Sequence, residues 1–250
     1  MNKEEQLLLR RLSDLSSKAS DNYYCTYSEF LNMNEQALFF ARQDDILSSA
    51  FDIYGGYPDA ERRILQFYPR DFEKEDYPIV CLCIRPINEK FSDALNHRDF
   101  LGAVLNLGVD RGRVGDILIE NNTAYLFCLP QMADYIIQSL EKVKHTKVCV
   151  SLCNSCDLAL TPHFKTKQGT VTSVRLDSII AVAFNLSRTS AARCIAAGSV
   201  FINGRLTESA SAVPKDNDII SVRGFGRFKF ENTLIKSKKD KFVVKAHVYI

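Results

Sequence analysis

The stretch LSRTSAARCIAAGSVFINGR, residues 186–205, concentrates the residue types that hold a phosphate. Ser187 is placed as the N-cap of a helix beginning at Arg188. The free N–H groups of that helix's first turn, with its dipole, form a site for a phosphate oxygen. Thr189 and Arg193 lie four apart and share a face with Ala196, whose small side chain lets a nucleic-acid backbone approach. Ala191, Cys194 and Ile195 point the other way, towards a core. Gly198 ends the helix, and Asn203–Gly204 is a strong hairpin signal. Arg205 stands beside that turn, with Lys215, Arg223, Arg227 and Lys229 further on. These side chains are expected to converge on one surface. The same arginines also fit an exposed, solvated helix with no ligand.

Two other groups carry reactive residue types. His97-Arg98-Asp99 sets an imidazole beside a carboxylate, but adjacent residues on a helix do not face one another and no nucleophile motif accompanies them. A helix start, packing or an RNA contact fits better. CVSLCNSC (149–156) holds one C-x-x-C, with His145 and His163 nearby. One such pair is half a zinc site, and a second pair with ligand spacing is missing. Isolated thiols are expected, with no metal. No phosphate-binding glycine loop is present. The expectation is a protein without enzymatic activity, cofactor or small-molecule substrate.

The charge distribution supports a polyanion partner. The net charge is +2, yet residues 160–250 carry 15 Lys and Arg against 6 Asp and Glu, leaving 17 against 24 for residues 1–159. Such a split predicts a basic module attached to an acidic body, although a solvated basic tail has the same composition. No run is apolar enough to cross a bilayer, and MNKEEQLLLRRLSD lacks the apolar centre of a signal peptide. Eight scattered cysteines fit a reducing compartment, so a cytoplasmic protein is expected.

The elements that must position these residues follow from periodicity. Residues 1–72 read as a mainly helical domain. Leu8, Leu12 and Leu15 recur at helical spacing, Asn32 or Asn34 can cap a second helix ahead of Glu35, and a further helix opens after Pro58. PIVCLCIRP (78–86), bounded by prolines, reads as a buried strand, and HRDFLGAVLNLG as a helix ended by glycine. GDILIE and AYLFCL are strands joined across Asn121–Asn122, QMADYIIQSLEKVK is a helix, and KVCVSL a last strand. The order βαββαβ over residues 73–160 is that of a ferredoxin-like domain. TPHFKTKQGT (161–170) is a polar linker. Residues 171–250 then give two helices on a small antiparallel sheet, with Phe228 and Phe230 alternating with Arg227 and Lys229. The fold class expected is α+β.

RLD (175–177), LSRTSAARCIAAGSVFING (186–204) and VPKDNDIISVRG (213–224) closely resemble the S4-like RNA-binding domain over about sixty residues. That resemblance implies contacts to RNA phosphates and riboses by Arg175, Ser187, Arg188, Thr189, Arg193, Asn203, Gly204, Arg205 and Lys215. RNA rather than DNA comes from the resemblance alone. GGYPDAERRILQFYP (55–69), HRDFLGAVLNLGVDRGRVGDILIE (97–120) and RGFGRF (223–228) extend the likeness to the bacterial YlmH family, over nearly the whole chain. Membership would imply a central domain like a degenerate RNA-recognition motif. It would also imply a non-enzymatic adapter on the large ribosomal subunit, binding rRNA and tRNA where peptidyl-tRNA obstructs it, in ribosome-associated quality control. Separately from the resemblance, a monomer is expected. Two alternatives stand beside it: an RNA-modifying enzyme of the pseudouridine-synthase type, for which Asp177 lies in the wrong module, and an accessory factor in cell division. The usual base-stacking aromatics of an RNA-recognition motif are missing from IVCLCI, and Tyr125 and Phe127 are candidates for core. A scaffold or protein-contact role is therefore expected of the central domain.

Overall fold

The computed structural model describes residues 3–153, 164–237 and 240–249. The fold is α+β, in two compact units, Met1–Thr161 and Pro162–Ile250. Among the described residues, no helix is long and apolar enough to cross a membrane.

The first unit begins with α1 (Lys3–Asn22), β1 (Thr26–Tyr27), α2 (Met33–Phe40), a one-turn α3 (Gln43–Ile46), β2 (Ala50–Tyr54) and β3 (Ile64–Tyr68). Asn32 and Glu35 close a reciprocal capping box on α2. Leu12, Ala19, Phe39, Leu65 and Phe67 form a core between α1, α2 and the antiparallel sheet β1-β3-β2. The helix expected after Pro58 does not exist. The backbone N–H groups of Glu61 and Arg62 donate instead to the Asp116 carboxylate (2.7 and 3.3 Å). The chain then enters β3, whose Ile64, Leu65, Gln66 and Phe67 are all buried. With both faces covered, the strand lost the alternation that identifies strands in a sequence.

The same unit continues with β4 (Val80–Pro86), α4 (His97–Leu105), β5 (Val114–Glu120), β6 (Thr123–Cys128), α5 (Pro130–Ser139), a short β7 (Lys142–Val143) and β8 (Thr146–Cys153). The sheet is antiparallel in the order β5-β6-β4-β8-β7. Asn121 and Asn122 both take left-handed backbone (φ 47° and 63°), which suits the tight β5–β6 turn. His97 and Asp99 belong to α4's first turn, where Asp99 completes a capping box with Asn96 and pairs with Lys144 (2.8 Å). That is a helix start. α5 stops at Ser139, five residues short of the expected end, because Val143 turns into the β7–β8 hairpin and is fully buried. Leu82, Ile84, Leu126, Phe100, Val104 and Ile136 fill the core between the sheet and α4 and α5.

In the second unit, β9 (Phe164–Val171) precedes α6 (Leu176–Phe184), α7 (Arg188–Ala196), β10 (Val200–Ile202), β11 (Arg205–Leu206), β12 (Ile219–Val222), β13 (Gly226–Lys236) and β14 (Phe242–Tyr249). One antiparallel sheet runs β11-β10-β12-β13-β14-β9. Helices α6 and α7 cover one face, over Val200, Ile220, Val222, Phe228, Phe230, Val244 and Ala246. Most of the expected linker is thus a strand. Residues 161–163 lie outside the described residues, but Phe164–Val171 pairs along β14. As an edge strand exposed to water it is mostly polar, which gives it the composition of a loop.

Candidate nucleic-acid interface

The second unit builds its cationic surface around two carboxylates, the buried Asp177 and the half-buried Asp218. Asp177, in the first turn of α6, has a side chain only 7% exposed. It accepts from Arg188 Nη2 (2.9 Å), Arg175 Nε (3.3 Å) and the Ser178 backbone N–H (2.8 Å). Burial pushes the Asp177 carboxyl up, but the hydrogen bonds from Arg175 and Arg188 and the nearby Arg188 charge outweigh it and hold the group below its ordinary value. The arginines remain accessible, with side chains 38% and 58% exposed. One carboxylate therefore fixes two guanidinium groups on neighbouring helix starts while leaving donors turned to solvent.

α7 develops as its residue types dictate. Ser187 Oγ accepts from the Ser190 backbone N–H (3.0 Å), the expected cap. Thr189, Arg193 and Ala196 are exposed, whereas Ala191 and Ile195 are buried and Cys194 packs at the core's edge. The capping hydroxyl is thus engaged in holding the helix start, and the exposed donors of this element are Arg188, Thr189 and Arg193.

A second carboxylate organises the hairpin. Asp218 accepts from Asn203 Nδ2 (2.8 Å) and the Lys215 backbone N–H (2.7 Å), while Asn203 Oδ1 accepts from the Ile219 N–H (2.9 Å). Asn203 (φ 47°) and Gly204 (φ 78°) form the left-handed pair that the β10–β11 turn requires. Asn203 is therefore committed to the turn, and it presents Arg205 and Lys215, both exposed. The Ala210–Ala212 segment accepts the N–H groups of Leu176 and Asp177 (2.8 and 3.3 Å), so the loop after the hairpin also touches the start of α6.

Three of the expected cations stand elsewhere. Phe228 and Phe230 are buried under the helices, so Arg227 and Lys229, which alternate with them, project from the opposite face of the sheet. The Arg227 guanidinium lies over the Tyr249 ring at 4.3 Å, and exposed Arg223 over Phe201 at 4.9 Å. The single convergent surface expected from the sequence is corrected to two: a helix side, with Arg175, Arg188, Thr189 and Arg193, and the outer face of the sheet. The reason is the two-residue period of β13, which sends neighbouring side chains to opposite faces.

In the first unit the outer face of the central sheet is covered around Cys81 and Phe127. Phe127, 1% exposed, stacks against Tyr57 with centroids 5.2 Å apart, under Gly56. An internal tyrosine ring thus takes the place where a base would stack on this strand. The segment carrying it is clamped by Arg62, which donates to the carbonyls of Phe30 (2.7 Å), Arg111 (3.0 Å) and Val114 (3.0 Å). Burial lowers the Arg62 pKa and pushes that of Arg111 down to about 10. The 55–69 and 97–120 blocks singled out in the sequence are thus joined to one another. Nothing in the composition reveals this, because the partners of Arg62 are backbone carbonyls.

Cys81 faces Cys153 across β4 and β8. Cys156 and His163 lie outside the described residues. Among the described residues, no three His, Cys, Asp or Glu side chains gather so as to hold a metal ion.

Comparison with known proteins brings these features together. Residues 72–157 match the family described as "Putative RNA-binding domain in YlmH". The chain is 27% identical over 247 residues to "Ribosome-associated protein quality control protein P2" of Bacillus subtilis (strain 168), covering 97% of this chain and 94% of that protein. Its fold is similar to "Cell division protein ylmH from Streptococcus pneumoniae", with a TM-score of 0.51 and 24% identity over 63% of this chain and 95% of the other. The RNA-binding description falls on the central domain, from which the sequence led us to expect a scaffold or protein contact.

Proposed function

The chain belongs to the YlmH family, and from that premise we propose that it is a non-enzymatic RNA-binding adapter of ribosome-associated quality control. Its partners in this reading are rRNA and tRNA on the large ribosomal subunit carrying peptidyl-tRNA. It acts in the cytoplasm as a monomer, without cofactor or small-molecule substrate. In architecture we assign the central sheet to the ferredoxin-like, RNA-recognition-motif type and the second unit to the S4-like type. The observation that carries the reading is the Asp177 clamp: a buried carboxylate that orients Arg175 and Arg188, with exposed Arg193 further along α7. Such a device spends a buried charge on holding cations at a surface, which suits recognition of a phosphate backbone. The central domain supports the reading through its family description, and its RNA contacts would lie away from Phe127.

Backbone contacts should dominate, so affinity should fall steeply with salt. Five phosphate contacts to single-stranded or duplex RNA give a log–log slope of about −3.5 to −4.5. Arg188→Ala combined with Arg193→Ala should weaken binding to large subunits by about 1–3 kcal/mol, with a smaller slope, in sedimentation across a salt series. A double variant that sediments with large subunits as well as the wild type does, and is folded by circular dichroism, overturns the assignment.

A further inference from the structure

The face of the six-stranded sheet that α6 and α7 leave uncovered carries an ordered row of side chains. The registers Leu206–Phe201, Phe201–Ser221, Ser221–Arg227 and Tyr249–Phe164 run across the sheet, and the Arg227–Tyr249 contact joins them. One residue from each strand therefore lies on a single transverse line. Three of the six are aromatic. Phe164 is 36% exposed and stands edge-on to Tyr249, with centroids 4.8 Å apart. Arg223 covers Phe201, and Arg227 covers Tyr249. The next row on the same face is Ile219, Lys229, His247 and Thr166.

The charge on this face is one-sided. Arg223, Arg227, Lys229 and Lys245 oppose Glu231, whose carboxylate is held by Lys245 (2.8 Å) and His247 (2.7 Å). Along β9, Thr166, Gln168 and Thr170 keep the face wet and hydrogen-bonding. A protein-docking surface would have an apolar, charge-depleted centre. Aromatic rings spaced across a sheet, two of the three beside a guanidinium, instead match what a single strand of nucleic acid needs: flat surfaces for bases and cations for the intervening phosphates.

We propose that this outer sheet face is a second RNA site that binds an unpaired segment by stacking on Phe164, Tyr249 and Phe201, distinct from the helix side. The inference rests on the RNA-binding reading above but extends it to a different surface. It divides the labour within the second unit, with α6 and α7 gripping the backbone of structured RNA and the sheet face taking unpaired nucleotides.

The test is binding of fluorescein-labelled U12 to the full chain, followed by anisotropy at fixed salt, alongside sedimentation with large subunits. Phe164→Leu with Tyr249→Leu should weaken U12 binding about tenfold or more. Tyr249→Phe, which keeps the ring, should bind like the wild type. Arg227→Gln, which leaves both rings in place and guards against misfolding of the ring variant, should lose about threefold and flatten the salt dependence by roughly 0.7. Arg188→Ala with Arg193→Ala should leave U12 binding within about twofold while it lowers subunit binding. U12 binding unaffected by either sheet-face variant overturns the proposal, as does U12 binding abolished by the α7 pair. Subunit binding that falls in the ring variant while U12 binding does not would assign the face to a protein and overturn it too. In each of these cases the helix-side reading stands or falls on its own variant.

Discussion

Arg62→Met should destabilise the first unit by about 3–5 kcal/mol, the largest effect expected of any single polar residue here. The guanidinium supplies donors to three carbonyls on two separate segments: Phe30 before α2, and Arg111 and Val114 where the chain after α4 enters β5. Val114 O keeps a second donor in Arg111 Nη1 (2.6 Å). Methionine would fill much of the volume and leave the carbonyls of Phe30 and Arg111 without the donor that Arg62 provides. Each buried unsatisfied carbonyl costs about 1–3 kcal/mol, and the partnership with nearby Asp116 is lost as well. The neighbouring Arg63 provides the control. Its side chain donates to Ala60 O (2.6 Å) and Pro58 O (3.4 Å), within its own loop, so Arg63→Met should cost about 1 kcal/mol. Hydrogen exchange at the β5 and β6 amides reads the first unit separately from the second. Protection in Arg62→Met within about 1 kcal/mol of wild type would show that the clamp is not what holds these segments together.

That clamp also marks the limit of what the chain's composition disclosed. Elements whose identity rests on local chemistry were legible: the Asn32 and Ser187 caps, the left-handed pairs Asn121–Asn122 and Asn203–Gly204, and the apolar strand between Pro78 and Pro86. Elements decided by tertiary partners were not. Pro58, Asp59 and Glu61 have the chemistry of a helix start, yet Asp116, more than fifty residues away, takes the N–H groups that the helix would have freed. Phe164–Val171 pairs along one edge only, so nothing in its polar sequence demanded a sheet. The site divides in the same way. Arg188, Thr189 and Arg193 were placed by helical period. Arg227 and Lys229, expected on one surface with Arg188 and Arg193, lie on the other face of the sheet because β13 alternates and buries Phe228 and Phe230 under the helices. The sequence offers Asp177 as part of the RLD motif and as a catalytic candidate in the wrong module, not as an anchor. Its role as an anchor needed α6 and α7 to be seen together, since Arg188 lies eleven residues beyond it.

Asp177→Ala should cost about 2–4 kcal/mol of stability in the second unit and weaken RNA binding although it removes a negative charge. On simple electrostatics, deleting a carboxylate from a cationic surface should strengthen binding to a polyanion. The geometry predicts the reverse. Asp177 holds two guanidinium groups in place, and without it Arg175 and Arg188 regain their rotamer freedom and must lose it again on binding, at about 0.5–1.5 kcal/mol for each side chain. The pH dependence provides a second signature. The folded-state pKa lies below the ordinary value of 3.8, so the carboxylate's contribution is fully present well above that value and drains away as pH falls through the folded pKa. Wild-type stability in the second unit should therefore fall below about pH 4 by more than that of Asp177→Ala, and the two curves should converge in acid. Asp177→Asn separates the parts, because it can still accept the Ser178 N–H but lacks the charge that attracts both arginines. It should recover part of the stability lost in Asp177→Ala and little of the RNA affinity. Chemical denaturation from pH 3 to pH 7, paired with subunit sedimentation at pH 7, measures both. Tighter RNA binding in either variant would mean that the carboxylate is a repulsive neighbour of the phosphates and not the anchor of the cations that meet them.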